Sequence, residues 1–244
     1  WTNYEVRVPY SVYDVTNYIK SPSTTIDVLL GIGWRDTSVY PYGDISPPVP
    51  DTTSRVVRAI LNITYSDGTF QSIVTDSTWW ASATPYISDS IYDGETYDAR
   101  QDNASVVGFT VVVSGPYGQM YLPSIPYIAE TGTDSAVAIY RLASDASKQI
   151  VDFGSNTAGV CRINVAGFPS GTVVQIRHAE VLQHPPYGPQ DGSLYYDNLR
   201  SAKQTDVYTC NGSETTYQPS FTYHGFRYAE VTGYPRDLSS ADVV

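Results

Sequence analysis

The segment "SDSIYDGETYDARQD", Ser88 to Asp102, gathers Asp89, Asp93, Glu95, Asp98 and Asp102 around Arg100, with Tyr92 and Tyr97 between them. Carboxylate oxygens are hard ligands that suit a calcium ion, and carboxylates beside aromatic rings suit sugar hydroxyls. The same residues also fit a plain turn in which Arg100 pairs with a neighbouring acid, a contact of little energetic consequence at a surface. Glycosidic hydrolysis needs two carboxylates roughly 5–9.5 Å apart. A chain with 25 acidic residues meets that distance somewhere by chance, so acid count alone does not point to an enzyme.

Other chemistry is thin. Phosphate-binding loops, nucleophile elbows, zinc-type Cys/His pairs and EF-hand loops do not occur in the sequence. Its three imidazoles are His178, in the strand-like "QIRHAEVL", His184, and His224, in the aromatic "FTYHGFRY". His178 and His224 read as hydrogen-bonded structural residues rather than catalysts. Tyrosine is unusually frequent, with 22 copies. Most must fill the core, while Tyr40, Tyr42, Tyr187, Tyr195 and Tyr196 fall in Pro-rich stretches and offer stacking faces.

The elements that must position these residues are strands. Short runs such as "SRVVRAILNITY", "VVGFTVVVSG", "AVAIYRL", "TVVQIRHAEVL" and "FRYAEVTG" alternate apolar and polar side chains, and long helical periodicity is almost absent. Ser66-Asp67-Gly68, Pro169-Ser170-Gly171 and Asp191-Gly192 punctuate them as turns. Such spacing predicts an all-β chain of antiparallel sandwiches or barrels. "YPYGDISPPVPDTTS" and "HPPYGPQDGSLYYDN" cannot continue a central strand, because proline lacks the ladder donor, and read as long surface loops. "YLPSIPYIAETGTDS" breaks the alternation near mid-chain and places a boundary at about residue 125.

With 244 residues, 41% apolar and 16% charged, the chain can bury a sizeable core. Its net charge of -11 repels phosphate backbones, which argues against nucleic acid as a partner. No apolar run reaches the ~18–20 residues of a membrane span. Sequons at Asn62, Asn103 and Asn211 point to a secreted glycoprotein. In that setting Cys161 and Cys210 form a disulfide, the favoured expectation; a reducing compartment leaves two buried thiols. A chain that opens on Trp1, with Met120 its only methionine, reads as a processed product or as part of a longer one.

Several stretches together resemble one family. "WTNYEVRVPYSVYDVTNYI", "IDVLLGIGWRD", "ITYSDGTFQSIVTDSTWWAS" and "GETYDAR" are similar to the N-terminal accessory region of bacterial-type α-L-rhamnosidases. "IVDFGSNTAGVCRINVAGFPSGTVVQIRHAEVL" and the sequence through "FTYHGFRYAEVTGYP" resemble the concanavalin-like domain that follows it. The resemblance implies two consecutive antiparallel, jelly-roll-like β-sandwiches, over 1–125 and 126–244, the first without its leading strands. It also implies a helical-barrel catalytic domain that holds the acid and base carboxylates, so no catalytic residue is carried over to this chain.

Three functions follow as expectations. The first is a non-catalytic segment that binds rhamnose-containing glycans, with calcium as candidate ion, Asp93, Glu95, Asp98 and Arg100 as contacts, and Trp34 and Tyr92 as stacking surfaces. The second is a subunit of an extracellular filament or other homo-oligomer assembled by strand donation. The third is a piece of an intact α-L-rhamnosidase.

Overall fold

The computed structural model describes residues 2–19, 23–32, 55–101 and 105–244. It is nearly all β, as the alternation predicted, with two 3-10 turns at Thr16–Tyr18 and Asp197–Leu199. The strands are β1 (Arg7–Pro9), β2 (Ile60–Thr64), β3 (Phe70–Val74), β4 (Trp80–Ser82), β5 (Tyr86–Ser90), β6 (Gly94–Asp98), β7 (Val106–Phe109), β8 (Gln119–Tyr121) and β9 (Ala138–Leu142). They continue as β10 (Asp145–Gly159), β11 (Ile163–Asn164), β12 (Val173–Ala179), β13 (Thr205–Thr209), β14 (Thr216–Tyr217) and β15 (His224–Thr232).

The chain divides into two units that do not follow chain order: 1–29, 58–81 and 108–132 form one, and 30–57, 82–107 and 133–244 form the other. In the first unit β2 and β3 pair antiparallel around the Asp67-Gly68 turn, and β1 pairs in parallel with β8. Gly68 takes a positive φ of 84°, and Asp67 receives the Thr69 N–H in an Asx turn.

The second unit is built on a seven-stranded sheet in the order β5-β6-β13-β12-β15-β10-β9. Its two edge strands at one side, β5 and β6, thus come from residues 86–98, while the other five come from residues 138–232. In β12 the residues Val174, Ile176 and His178 are buried, while Val173, Gln175 and Arg177 are not. That period-2 pattern turns one face of the sheet onto a core with Cys161, Ile163, Val165, Phe168, Tyr217, Leu238 and Val243, supplied by the chain around β11, β14 and the C-terminal turns. A break in register between Asp152 and Thr157 of β10, opposite Tyr228 and Phe226 of β15, shifts the alternation so that residues three apart in β15 face the same side. Phe226, Ala229 and Val231 enter this core, and Tyr228 faces the other way, into a smaller cluster with Ile150, Ala179 and Leu194.

Candidate functional site

The acidic segment lies on β6 and its flanks, and the pleat of that strand separates its carboxylates. Glu95 is 1% exposed and points into the core. Its carboxylate accepts bonds from the Tyr217 hydroxyl and from the backbone N–H groups of Ser220 and Phe221, each at 3.0 Å. Burial outweighs these bonds and raises the Glu95 pKa above the ordinary value, while Glu95 in turn adds to the burial that pushes the Tyr217 hydroxyl far up. Glu95 therefore fastens the chain around β14 to the edge of the sheet.

Asp98, three residues on, has turned to the opposite face. It takes Arg100 Nε and Nη2 at 2.8 Å each, and this pairing lowers its pKa. Asp93 lies before the strand, where Oδ1 accepts the Lys203 N–H at 3.2 Å and Oδ2 sits 3.4 Å from Lys203 Nζ. Five residues of extended chain separate Asp93 from Asp98 by roughly 16 Å. Among the described residues the segment 88–101 brings no three ligating groups together. Trp34, Asp102, Asn103, Tyr40 and Tyr42 lie outside the described residues.

Asp93 and Tyr92 do meet other polar groups. Their carbonyls accept the backbone N–H groups of Thr205 and Gln204 at 2.9 and 3.0 Å. Beside this contact opens a cleft of about 180 Å³ lined by Ile91, Tyr92, Gln204, Tyr223, His224 and Gly225. Two tyrosine rings, an amide and a nearby carboxylate are the groups that bind a sugar ring: the rings pack on C–H faces, and the polar atoms exchange hydrogen bonds with hydroxyls.

Behind the cleft runs a buried polar network. Asp206 is fully buried; its Oδ1 accepts the Glu95 N–H at 2.9 Å, and its Oδ2 lies 3.0 Å from His224 Nε2. The His224 ring stacks on His178 with centroids 4.2 Å apart and planes 26° apart. His178 Nδ1 is 3.0 Å from the Gln204 carbonyl and must donate to it, which leaves Nε2 as a bare acceptor. Burial, and then His224, drive the His178 pKa down to about 3, so the ring is neutral. His178, Asp206 and His224 bring three ligand atoms within 4.8 Å of one another. Nearly parallel rings aim their in-plane lone pairs side by side rather than at a shared centre, so the group reads as a polar core and not as a metal cage.

Sequence reasoning singled out Tyr92 and Asp93 but missed Gln204, Asp206 and Tyr223. Asp206 left one trace: in "TDVYT" it alternates in phase with Tyr208, which marks an acid at a core-facing position. Of the loop tyrosines, Tyr196 lies under Arg177 at 3.4 Å, whereas Tyr187 stands exposed. The cysteines expected to pair stand as two buried free thiols, and burial raises both. Asn62 is exposed on β2, and Asn211 forms an Asx turn with Ser213.

Comparison with known proteins places these features. Residues 1–110 match the model of the α-L-rhamnosidase N-terminal domain, and residues 143–244 match that of the bacterial α-L-rhamnosidase concanavalin-like domain. An α-L-rhamnosidase of Streptomyces avermitilis is 35% identical over 260 residues, covering 100% of this chain and 23% of its own length. One from Formosa agariphila is 31% identical, covering 96% and 25% respectively. The chain thus spans about a quarter of the length of these curated relatives. Among solved structures, the S. avermitilis enzyme complexed with L-rhamnose superposes with a TM-score of 0.82 at 31% identity, over 100% of this chain and 23% of that one. The α-L-rhamnosidase of Dictyoglumus thermophilum gives 0.80 at 28% identity, over 100% and 26%.

Proposed function

The chain belongs to the α-L-rhamnosidase family through its N-terminal and concanavalin-like domains, and we propose that it is an accessory part of such an enzyme that grips rhamnose-containing glycans without cleaving them. One observation carries this reading: the whole chain aligns with enzymes of that name, yet with only about a quarter of each. The sugar class is suggested by the L-rhamnose bound to the S. avermitilis relative.

The Tyr92 cleft is the grip. Tyr92 and Tyr223 supply the ring faces, the Gln204 amide offers its Nε2 while its Oε1 is buried, and Asp93, beside the lining and held in orientation by Lys203, supplies a carboxylate. Glu95 and Asp206 hold the walls from behind, because their oxygens are occupied by Tyr217, Ser220, Phe221, His224 and the Glu95 N–H. Asp93 precedes β6, and Glu95 and Asp98 point to opposite faces of it, so no calcium ion is assigned to them.

Calorimetric titration of the chain with L-rhamnose tests the grip. We expect dissociation constants of about 1 mM, as for one sugar ring in a shallow cleft, weakened about tenfold or more in Tyr92→Ala. Absence of heat, or an unchanged Tyr92→Ala variant, would overturn it. We also place the protein outside the cell, with glycans on Asn62 and Asn211. Peptide mass spectrometry of native material should find hexosamine on both; bare asparagines contradict that placement.

A further inference from the structure

A second cleft, of about 340 Å³, opens elsewhere in the second unit, lined by Glu180, Val181, Gln183, Gln190, Arg227 and Tyr228 among others. We propose that it is a separate saccharide site taking a neutral pyranose, formed by the concanavalin-like domain independently of the Tyr92 cleft. The proposal goes beyond the reading above, since none of the Tyr92-cleft residues takes part.

The polar groups of this cleft are held in place before any ligand arrives. Arg227 donates from Nε and Nη2 to the two oxygens of Asp152 at 2.8 and 2.9 Å, which neutralises its charge and leaves Nη1 for a ligand. The Glu180 carboxylate is fixed by two amides, accepting from Asn156 Nδ2 at 3.2 Å and from Asn198 Nδ2 at 3.1 Å, with lone pairs to spare. A planar donor, a planar acceptor and the Gln183 and Gln190 amides suit vicinal hydroxyls, each of which both gives and takes a hydrogen bond. Val181, exposed at the wall, supplies an apolar surface for the sugar's C–H face, and the buried Tyr228 ring backs the Arg227 guanidinium at 4.9 Å. A carboxylate-bearing sugar is disfavoured, because the Glu180 carboxylate lines the site while Asp152 neutralises Arg227, in a chain of net charge -11.

The wall of the cleft is rigid where a site requires it. A bridge between Leu182 and Leu194, with Gln183 N–H to the Ser193 carbonyl at 2.8 Å and Tyr195 N–H to the Val181 carbonyl at 3.0 Å, closes the base of the Pro-rich loop. The Tyr140 hydroxyl donates to the Gly192 carbonyl at 2.9 Å. Gly192 has a φ of 85°, and a Cβ there would come within 3.0 Å of the Tyr140 ring, so glycine is required for this clamp. Tyr187, 68% exposed, stands edge-on to the lining residue His184 at 6.1 Å and tilted against Tyr195 at 6.3 Å, and its exposed ring is available to a second sugar unit. Preformed polar groups with an apolar surface and an exposed aromatic ring are how saccharide sites are built.

Nitrogen-15 NMR of the full chain, titrated with methyl α-L-rhamnoside and separately with galacturonate, tests the proposal. The neutral glycoside should shift the amides of Gln183, Gly188 and Gly192, and galacturonate should not. Glu180→Gln should weaken binding there about tenfold and Tyr187→Ala about threefold, with the rest of the spectrum showing that both variants are folded. Shifts confined to Tyr92, Gln204 and Tyr223 would overturn this site while leaving the first cleft standing. An unaffected Glu180→Gln variant, or no shift at Gly192 up to about 50 mM glycoside, would overturn it equally.

Discussion

The two units of this molecule read alike in sequence and differ in what they bury. Both are runs of alternating β-branched and aromatic residues. In the first unit none of the described residues is buried: Phe109 is 75% exposed, Val112 77% and Ile128 95%. In the second, Ile150, Val151, Cys161 and Ile163 are wholly buried, and a seven-stranded sheet carries a large core on one face and a smaller cluster on the other. Alternation makes a strand, but a core needs a second layer to receive the apolar face. Paired strands such as β2 and β3 cannot supply one to each other. Both clefts accordingly lie in the second unit, where packing can hold polar side chains in fixed positions.

The sharpest way to break this comparison is to delete side chains in both units. Ile176→Ala, in the core, should cost about 4 kcal/mol in urea unfolding, whereas Val112→Ala should leave the midpoint unchanged. A large loss from Val112→Ala would mean that the first unit has a core of its own. Next come the two carboxylates of β6, which reproduce the contrast within a single strand. Glu95→Ala orphans the Tyr217 hydroxyl and two backbone donors, for an expected loss of about 3 kcal/mol. Asp98→Ala breaks a surface pair and one exposed turn bond from the Arg100 N–H, and the melting temperature should move by no more than about 2 °C. Equal effects would show that Glu95 is not the anchor described.

A smaller effect, specific to the buried network, is its pH dependence. The folded His178 pKa of about 3 lies below the roughly 6.5 of an unfolded chain, so the unfolded state binds the proton first. Stability is therefore lost as pH falls from about 6.5 toward 3, amounting to about 2 kcal/mol by pH 5. Glu95, raised by burial, works in the opposite direction over this range, so the reading is the difference between the wild type and His178→Gln. Unfolding at pH 7 and pH 5 should show a flatter dependence in the variant; parallel slopes contradict the neutral, buried His178.

The fold was legible wherever its cause was local. The alternation in "QIRHAEV" and "FRYAEV" is the alternation of β12 and β15, and Asp67-Gly68 is a turn because glycine accepts its φ. What depends on distant partners was not legible. Glu95 looked like a surface acid among surface acids; its partners Tyr217, Ser220 and Phe221 lie more than 120 residues away. β6 pairs in parallel with β13 across a long separation, which no local pattern announces. The large sheet draws strands from both sides of residue 125, a pairing that chain order does not announce. At the candidate site, the tyrosine and acid types were visible in the sequence, but their orientations were not. The pleat of β6 turns Glu95 into the core and Asp98 away from it, while Asp93, one residue before the strand, stays beside the cleft on Lys203.

The central claim is that this chain's buried carboxylates serve folding and its clefts serve binding. Incubating the 244-residue chain with para-nitrophenyl α-L-rhamnoside and following the released phenolate tests it most directly. The account predicts release no faster than in buffer, while the same preparation retains L-rhamnose in calorimetry. Release above buffer that is lost in Glu95→Gln or Asp93→Asn would contradict it and give one of those acids a catalytic role.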